Sequence, residues 1–76
     1  MEELLEAGHS ASWDGQRYVV HAPTGIEIGT LEHVGDIWEW VEFTTEYDRG
    51  VETADRSFPT PAAAMHAMLE HGGWLV

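Results

Sequence analysis

The chain has 76 residues, with fourteen Asp and Glu against three arginines, no lysine, no cysteine and a formal charge of −11. This length supports a single core, and a chain without cysteine can hold neither a disulfide nor a thiolate zinc site. Charge of this density repels DNA, RNA and anionic lipid, which excludes direct nucleic-acid binding and points to a basic protein as partner; no run of about 18 apolar residues offers a membrane span.

Residues 1–7 place Leu4 and Leu5 among Glu2, Glu3 and Glu6 ahead of Gly8, a pattern that fits a short N-terminal helix. The same stretch is acidic where a secretory leader is basic and has no apolar segment behind it, so a cytoplasmic location is expected. The lack of cysteine fits a reducing compartment. Asp14-Gly15 carries the signature of a two-residue hairpin turn, because both central positions need φ > 0 and these residues tolerate it. It would join a strand over residues 9–13 to one over residues 16–21. Ala22-Pro23-Thr24-Gly25 reads as the next turn, with proline presetting φ and glycine taking the left-handed position. A strand over residues 26–33 follows, with Ile26 and Ile28 on one face and Glu27 on the other. Gly29 inside it marks a bulge or the close approach of another backbone or ring. Val34-Gly35 reverses the chain again.

In residues 36–47 numbering parity separates two chemistries. Odd positions give Ile37, Val41, Phe43 and Tyr47, with Glu39 as the exception; even positions give Asp36, Trp38, Trp40, Glu42, Thr44 and Glu46, continued by Asp48. Alternate side chains of a strand point to opposite faces, so one face is aliphatic and the other is acidic with two tryptophans. Asp48-Arg49-Gly50 closes a turn, and residues 51–57 return as a polar edge strand. A helix is predicted over residues 61–71: Thr60 caps it, Pro61 is preformed for the first helical position, and Ala64, Met65, Met68 and Leu69 form one stripe opposite Ala63, His66 and Glu70. Gly72-Gly73 ends it and positions Trp74 to fold back on the last turn.

The fold class is therefore α+β: an antiparallel β-meander of four to five short strands with one C-terminal helix on one face, all in one domain spanning residues 1–76. A helix of about 11 residues is about 16 Å long and covers part of one face only. Ile37, Val41 and Phe43 demand burial on the face opposite Trp38 and Trp40, and one helix cannot cover both. Either the N-terminal segment closes the second face or an aromatic patch ringed by acids stays open, which is how binding hot spots are composed.

Catalytic and metal chemistry find little support. His66 and His71 are five apart on the helix, a poorer spacing than the i, i+4 pair of a ligand face. His21 and His33 could meet across a hairpin, but no ligand motif with a defined spacing is present, and neither metal nor cofactor is expected. Ser10 and Ser57 lie in no nucleophile motif, the glycines form no phosphate-binding loop, and a pair such as Glu39 and Glu42 arises by chance among so many acids. The expected activity is non-enzymatic.

The candidate partner-binding residues are Trp38, Trp40, Glu42, Glu46 and Asp48, extended by Glu52 beyond the turn. Glu46 and Asp48 stand about 6.6 Å apart by strand rise. Successive phosphates on an extended nucleic-acid strand are separated by about twice the 3.4 Å rise per base. In very short length, lysine-free acidity, lack of a catalytic motif and a small sheet with one helix, the chain resembles small phage-encoded inhibitors of the acidic anti-CRISPR and anti-restriction type. That resemblance implies a non-enzymatic inhibitor in a bacterial cytoplasm, acting by DNA mimicry on a basic nucleic-acid-binding host protein such as a CRISPR effector subunit. Two other classes stay open: a haloadapted or housekeeping adaptor or antitoxin-like domain, and a homodimer that buries the tryptophan face.

Overall fold

The computed structural model describes residues 3–43, 51–53 and 57–75. Among the described residues six strands run in sequence order, β1 (Leu4–Glu6), β2 (His9–Trp13), β3 (Tyr18–His21), β4 (Glu27–Val34), β5 (Ile37–Phe43) and β6 (Val51–Thr53), before helix α1 (Pro61–His71). They form one sheet with spatial order β1-β2-β3-β4-β5-β6, and every neighbouring pair is antiparallel. The expected α+β meander with its C-terminal helix is the fold.

The N-terminus departs from expectation. Leu4, Leu5 and Glu6 form an edge strand rather than a helix, paired with Ala11, Ser10 and His9. The reversal at Ala7 and Gly8 takes positive φ at both residues, 52° and 82°, the geometry that lets two strands close through two residues. A helix of seven residues gains little in water by itself, whereas a strand here pairs its backbone with β2 and lays Leu4 against the core.

The other turns follow local chemistry. Asp14 receives the backbone N–H of Gln16 at 2.8 Å and of Arg17 at 2.9 Å on Oδ1, so its carboxylate closes a longer loop than two residues and β3 starts at Tyr18. Those donors, Arg17 first and then Gln16, hold its carboxyl below the usual value of 3.8. The next turn is as read: the Gly25 N–H donates to the Ala22 carbonyl at 2.8 Å, with Gly25 at φ +94°.

Gly29 settles both alternatives raised for it. Val20 pairs with Gly29 and His21 with Glu27, so Ile28 is an extra residue on β4 and the sheet bulges there. The bulge accounts for Ile28 being buried while Ile26 is exposed. A Cβ on Gly29 would stand 2.9 Å from the Met68 Sδ and in hard contact with the Val41 carbonyl oxygen. The missing side chain is what lets α1 lie down on β4 and β5.

Thr60 caps α1, its hydroxyl oxygen accepting the Ala63 N–H at 3.1 Å, with Pro61 at the helix start. Just before it, Phe58 exchanges both backbone hydrogen bonds with Trp38, at 2.8 and 2.9 Å, which ties the helix start to β5. At the other end the Trp74 N–H donates to Leu69 and the Gly73 N–H to Glu70, with Gly73 at φ +79°. This double closure turns Trp74 back on the last turn, as expected. Ala64, Met65, Met68 and Leu69, the predicted stripe, are the buried helical residues.

Candidate binding surface

Register and burial sort the sheet into two faces. Trp40 pairs with Leu31 and Trp38 with His33; Leu31 pairs with Tyr18, and Tyr18 with Trp13. All of these lie on the side covered by α1. Trp38 and Trp40 are 7 % and 6 % exposed and belong to the same core as Met65, Met68 and Leu69. The Trp38 ring is packed by Tyr18 at 5.7 Å, Trp13 at 6.4 Å and a stacked His33 at 4.5 Å between centroids. Trp40 meets the ring of His71 at 4.9 Å.

Trp38 and Trp40 are therefore not an exposed aromatic patch, and the expectation that they contact a partner is corrected. The physical reason is area. Each indole removes on the order of 150–250 Å² from water, and a small cysteine-free core has no richer source of apolar burial. The chain's own helix packs on the tryptophan face that a homodimer was expected to bury.

Of the other proposed residues, two are register partners and two lie outside the described residues. Glu42 pairs with Gly29 on the helix side, its carboxylate lying against Gly72. Glu52 is placed opposite Glu42 by the β5–β6 register, while Glu46 and Asp48 lie outside the described residues. His21 and His33 do not meet: His21 pairs with Glu27 on one face and His33 stacks on Trp38 on the other. Among the described residues, no three His, Asp or Glu side chains come together as a metal site. No described helix is long and apolar enough to cross a membrane.

The face away from α1 carries the residues that parity marked as aliphatic. A row of Val19, Thr30 and Val41 crosses β3, β4 and β5, flanked by Val34 opposite Ile37 and by Glu32 opposite Glu39. Phe43 continues the strand at 36 % exposure and Val34 is 50 % exposed. Because the N-terminal segment joins the sheet edge, it does not close this side. Here Arg17 reaches across to Glu32 at 3.0 Å, and the same carboxylate oxygen accepts the Thr30 hydroxyl at 3.1 Å. The Arg17 charge is thus spent inside the domain.

The acids divide by what they do. Asp14 closes a turn, Glu32 holds Arg17, and Glu6 binds His66 of α1. Glu27, Asp36 and Glu39 have no such role among the described residues, and no described acid is buried. Sequence reading passed over Glu39 as an exception to parity. Its place among Ile37, Val41 and Phe43 was the available signal for an open, mixed face.

The Glu6 contact, with the Glu6 charge behind it, raises the His66 pKa above 6.5. A raised folded-state value means that this tie contributes fully below about 6.5 and is lost as pH rises through the folded value. Accordingly, thermal melts should show His66→Gln levelling a fall in stability that sets in as pH rises above about 6.5; an unchanged pH profile in the variant would remove the tie as a contributor.

Comparison with protein-family models, with curated proteins and with solved structures finds no match to this chain.

Proposed function

We propose that this domain is a non-enzymatic protein-binding inhibitor that occupies the nucleic-acid-binding surface of a basic protein in a bacterial cytoplasm, a CRISPR effector subunit being the type of target. The observation that carries the reading is the set of acids the fold does not use. Glu27, Asp36 and Glu39 are solvent-facing and make no ion pair among the described residues, in a chain of formal charge −11. Uncompensated charge of this kind destabilises a compact state by self-repulsion, so a role outside the fold accounts for it. The open sheet face supplies what charge alone does not: Val34, Ile37, Val41 and Phe43 give an apolar area beside Glu32 and Glu39 that a partner can dry.

The test is a competition. Purified CRISPR effector complexes are assayed for DNA binding with increasing amounts of this domain, at low and at physiological salt. Displacement of DNA that weakens as salt rises supports the reading. Failure to displace DNA from any of them, or a domain that folds only in molar salt, favours the haloadapted alternative.

Charge and apolar contact should separate in variants. Reversing Glu27, Asp36 and Glu39 to lysine takes the formal charge from −11 to −5, a change of two at each of three sites. Association should slow and lose much of its salt dependence, while the melting temperature holds or rises as self-repulsion falls. Phe43→Ala should instead speed dissociation. If the triple reversal leaves the association rate and its salt dependence intact, this face does not steer binding.

A further inference from the structure

Asp14-Gly15 takes no part in the binding surface, and it is the one Asp-Gly step in the chain, the other aspartates preceding Ile37, Arg49 and Arg56. An aspartyl carboxyl is open to attack by the backbone nitrogen of the next residue. The Gly15 nitrogen bonds to Cγ of Asp14, the carboxyl hydroxyl and the amide proton leave together as water, and a five-membered succinimide results. Water then reopens the ring. Opening at the main-chain carbonyl returns the lost water, restores one carboxylate and leaves the chain running through Cβ of residue 14, with mass and charge unchanged. Glycine favours the attack because no side chain shields its nitrogen. Both residues are exposed, and a Cβ built on Gly15 meets nothing within 4 Å, so the ring has room to form.

The fold works against the attack. Asp14 Oδ1 accepts the Gln16 N–H at 2.8 Å and the Arg17 N–H at 2.9 Å, which pins the carboxyl to the residues beyond Gly15 instead of leaving it free to turn onto the Gly15 nitrogen. The Asp14 N–H donates to the Arg17 carbonyl at 3.0 Å and closes the same turn from the other side. The donors to Oδ1, Arg17 first and then Gln16, also favour the ionised carboxyl. A carboxylate ion is a poor target, because its oxygen cannot leave as water. Both ends of the turn are anchored. The Arg17 guanidinium holds Glu32 at 3.0 Å, and Trp13 pairs with Tyr18 with ring centroids 5.2 Å apart.

We infer that Asp14 is a site of spontaneous isomerisation to isoaspartate, held off by the hydrogen bonds of the folded β2–β3 turn and released when that turn opens. The product carries one extra main-chain atom, and the Gln16 and Arg17 N–H groups lose the acceptor that the carboxylate gave them. The lengthened turn then strains the register that sets Trp13 against Tyr18, and both of those rings pack on Trp38. A chain modified while open therefore refolds to a less stable domain. Opening of the turn becomes a permanent covalent mark. None of this depends on the acidic face or on its partner.

Peptide mapping with electron-transfer fragmentation, which tells isoaspartate from aspartate at equal mass, tests this on the whole chain. Samples are aged for weeks at one mildly acidic pH, native and in guanidinium chloride. Isoaspartate at residue 14 should accumulate about tenfold more slowly, or slower still, in the native protein, since one hydrogen bond to a charged group is worth about that factor in rate. Asp14→Glu, which would have to close a six-membered ring, should abolish the signal in both. Gln16→Pro removes one of the two donors and should speed native isomerisation severalfold, with circular dichroism to check that the domain is folded. Should that variant not fold, amide exchange of Gln16 and Arg17 in low denaturant takes its place, and the isomerisation rate should rise in step with it. Equal rates in the native and unfolded protein overturn the inference, as does isoaspartate that forms first at another aspartate. A native rate that Gln16→Pro leaves unmoved, or that does not follow amide exchange, removes the two hydrogen bonds as the guard and sinks it as well.

Discussion

Gly29→Ala is expected to cost roughly 3 kcal/mol, the upper end of what overpacking does to a core, and to lower the melting temperature by on the order of 10–20 °C. The added methyl group meets two things at once. The Met68 Sδ, at 2.9 Å, can swing aside because methionine is flexible. The Val41 carbonyl oxygen cannot, since it is backbone of the β5 strand that pairs with β4. Relief therefore requires the central strands to separate, the bulge at Ile28 to move, or α1 to lift. Trimming the helix alone should not help, so Gly29→Ala combined with Met68→Ala should be less stable than either single change. Circular dichroism melts of the four proteins settle this. A Gly29→Ala midpoint equal to the parent's, or rescue by Met68→Ala, would show that the contact can be absorbed without moving the sheet.

Trp40→Ala should be comparably severe, at about 3–5 kcal/mol for removing a buried tryptophan. A chain of this length holds roughly 4–11 kcal/mol in total, so the loss removes from about a quarter to all of its stability. Glu39→Lys is the informative companion, because the adjacent side chain points to the other face, opposite Glu32, and should not lower the melting temperature. Denaturant titration of both proteins, with near-ultraviolet dichroism to follow the aromatic cluster, separates the faces cleanly. A Trp40→Ala protein that melts like the parent yet loses its partner would return this residue to the interface and remove it from the core.

Most of the fold was legible because the relevant signals are local. The Thr60-Pro61 start, the stripe of Ala64, Met65, Met68 and Leu69, and the Gly72-Gly73 stop each act within a turn or two of the chain, so α1 could be read to its residue bounds. Ala22 to Gly25 behaves likewise. The N-terminal error has the opposite origin: Leu4 and Leu5 among glutamates satisfy a helical pattern locally, but the edge of β2 offers a backbone partner that no local pattern reveals.

The site divides along the same line. Sequence by itself determined that β5 has one aliphatic face and one carrying Trp38 and Trp40, because alternation is a property of a single strand. It also determined the charge. Which face α1 would cover was decided only in three dimensions. Trp38 exchanges backbone hydrogen bonds with Phe58, Gly29 clears a seat for Met68, and the bulge at Ile28 shapes the sheet beneath the helix. The first two of these contacts join residues twenty to forty positions apart, and the free energy that selects them is the burial of two indoles under one helix. The aliphatic face, with Glu39 and Phe43, is the one over which no described element lies.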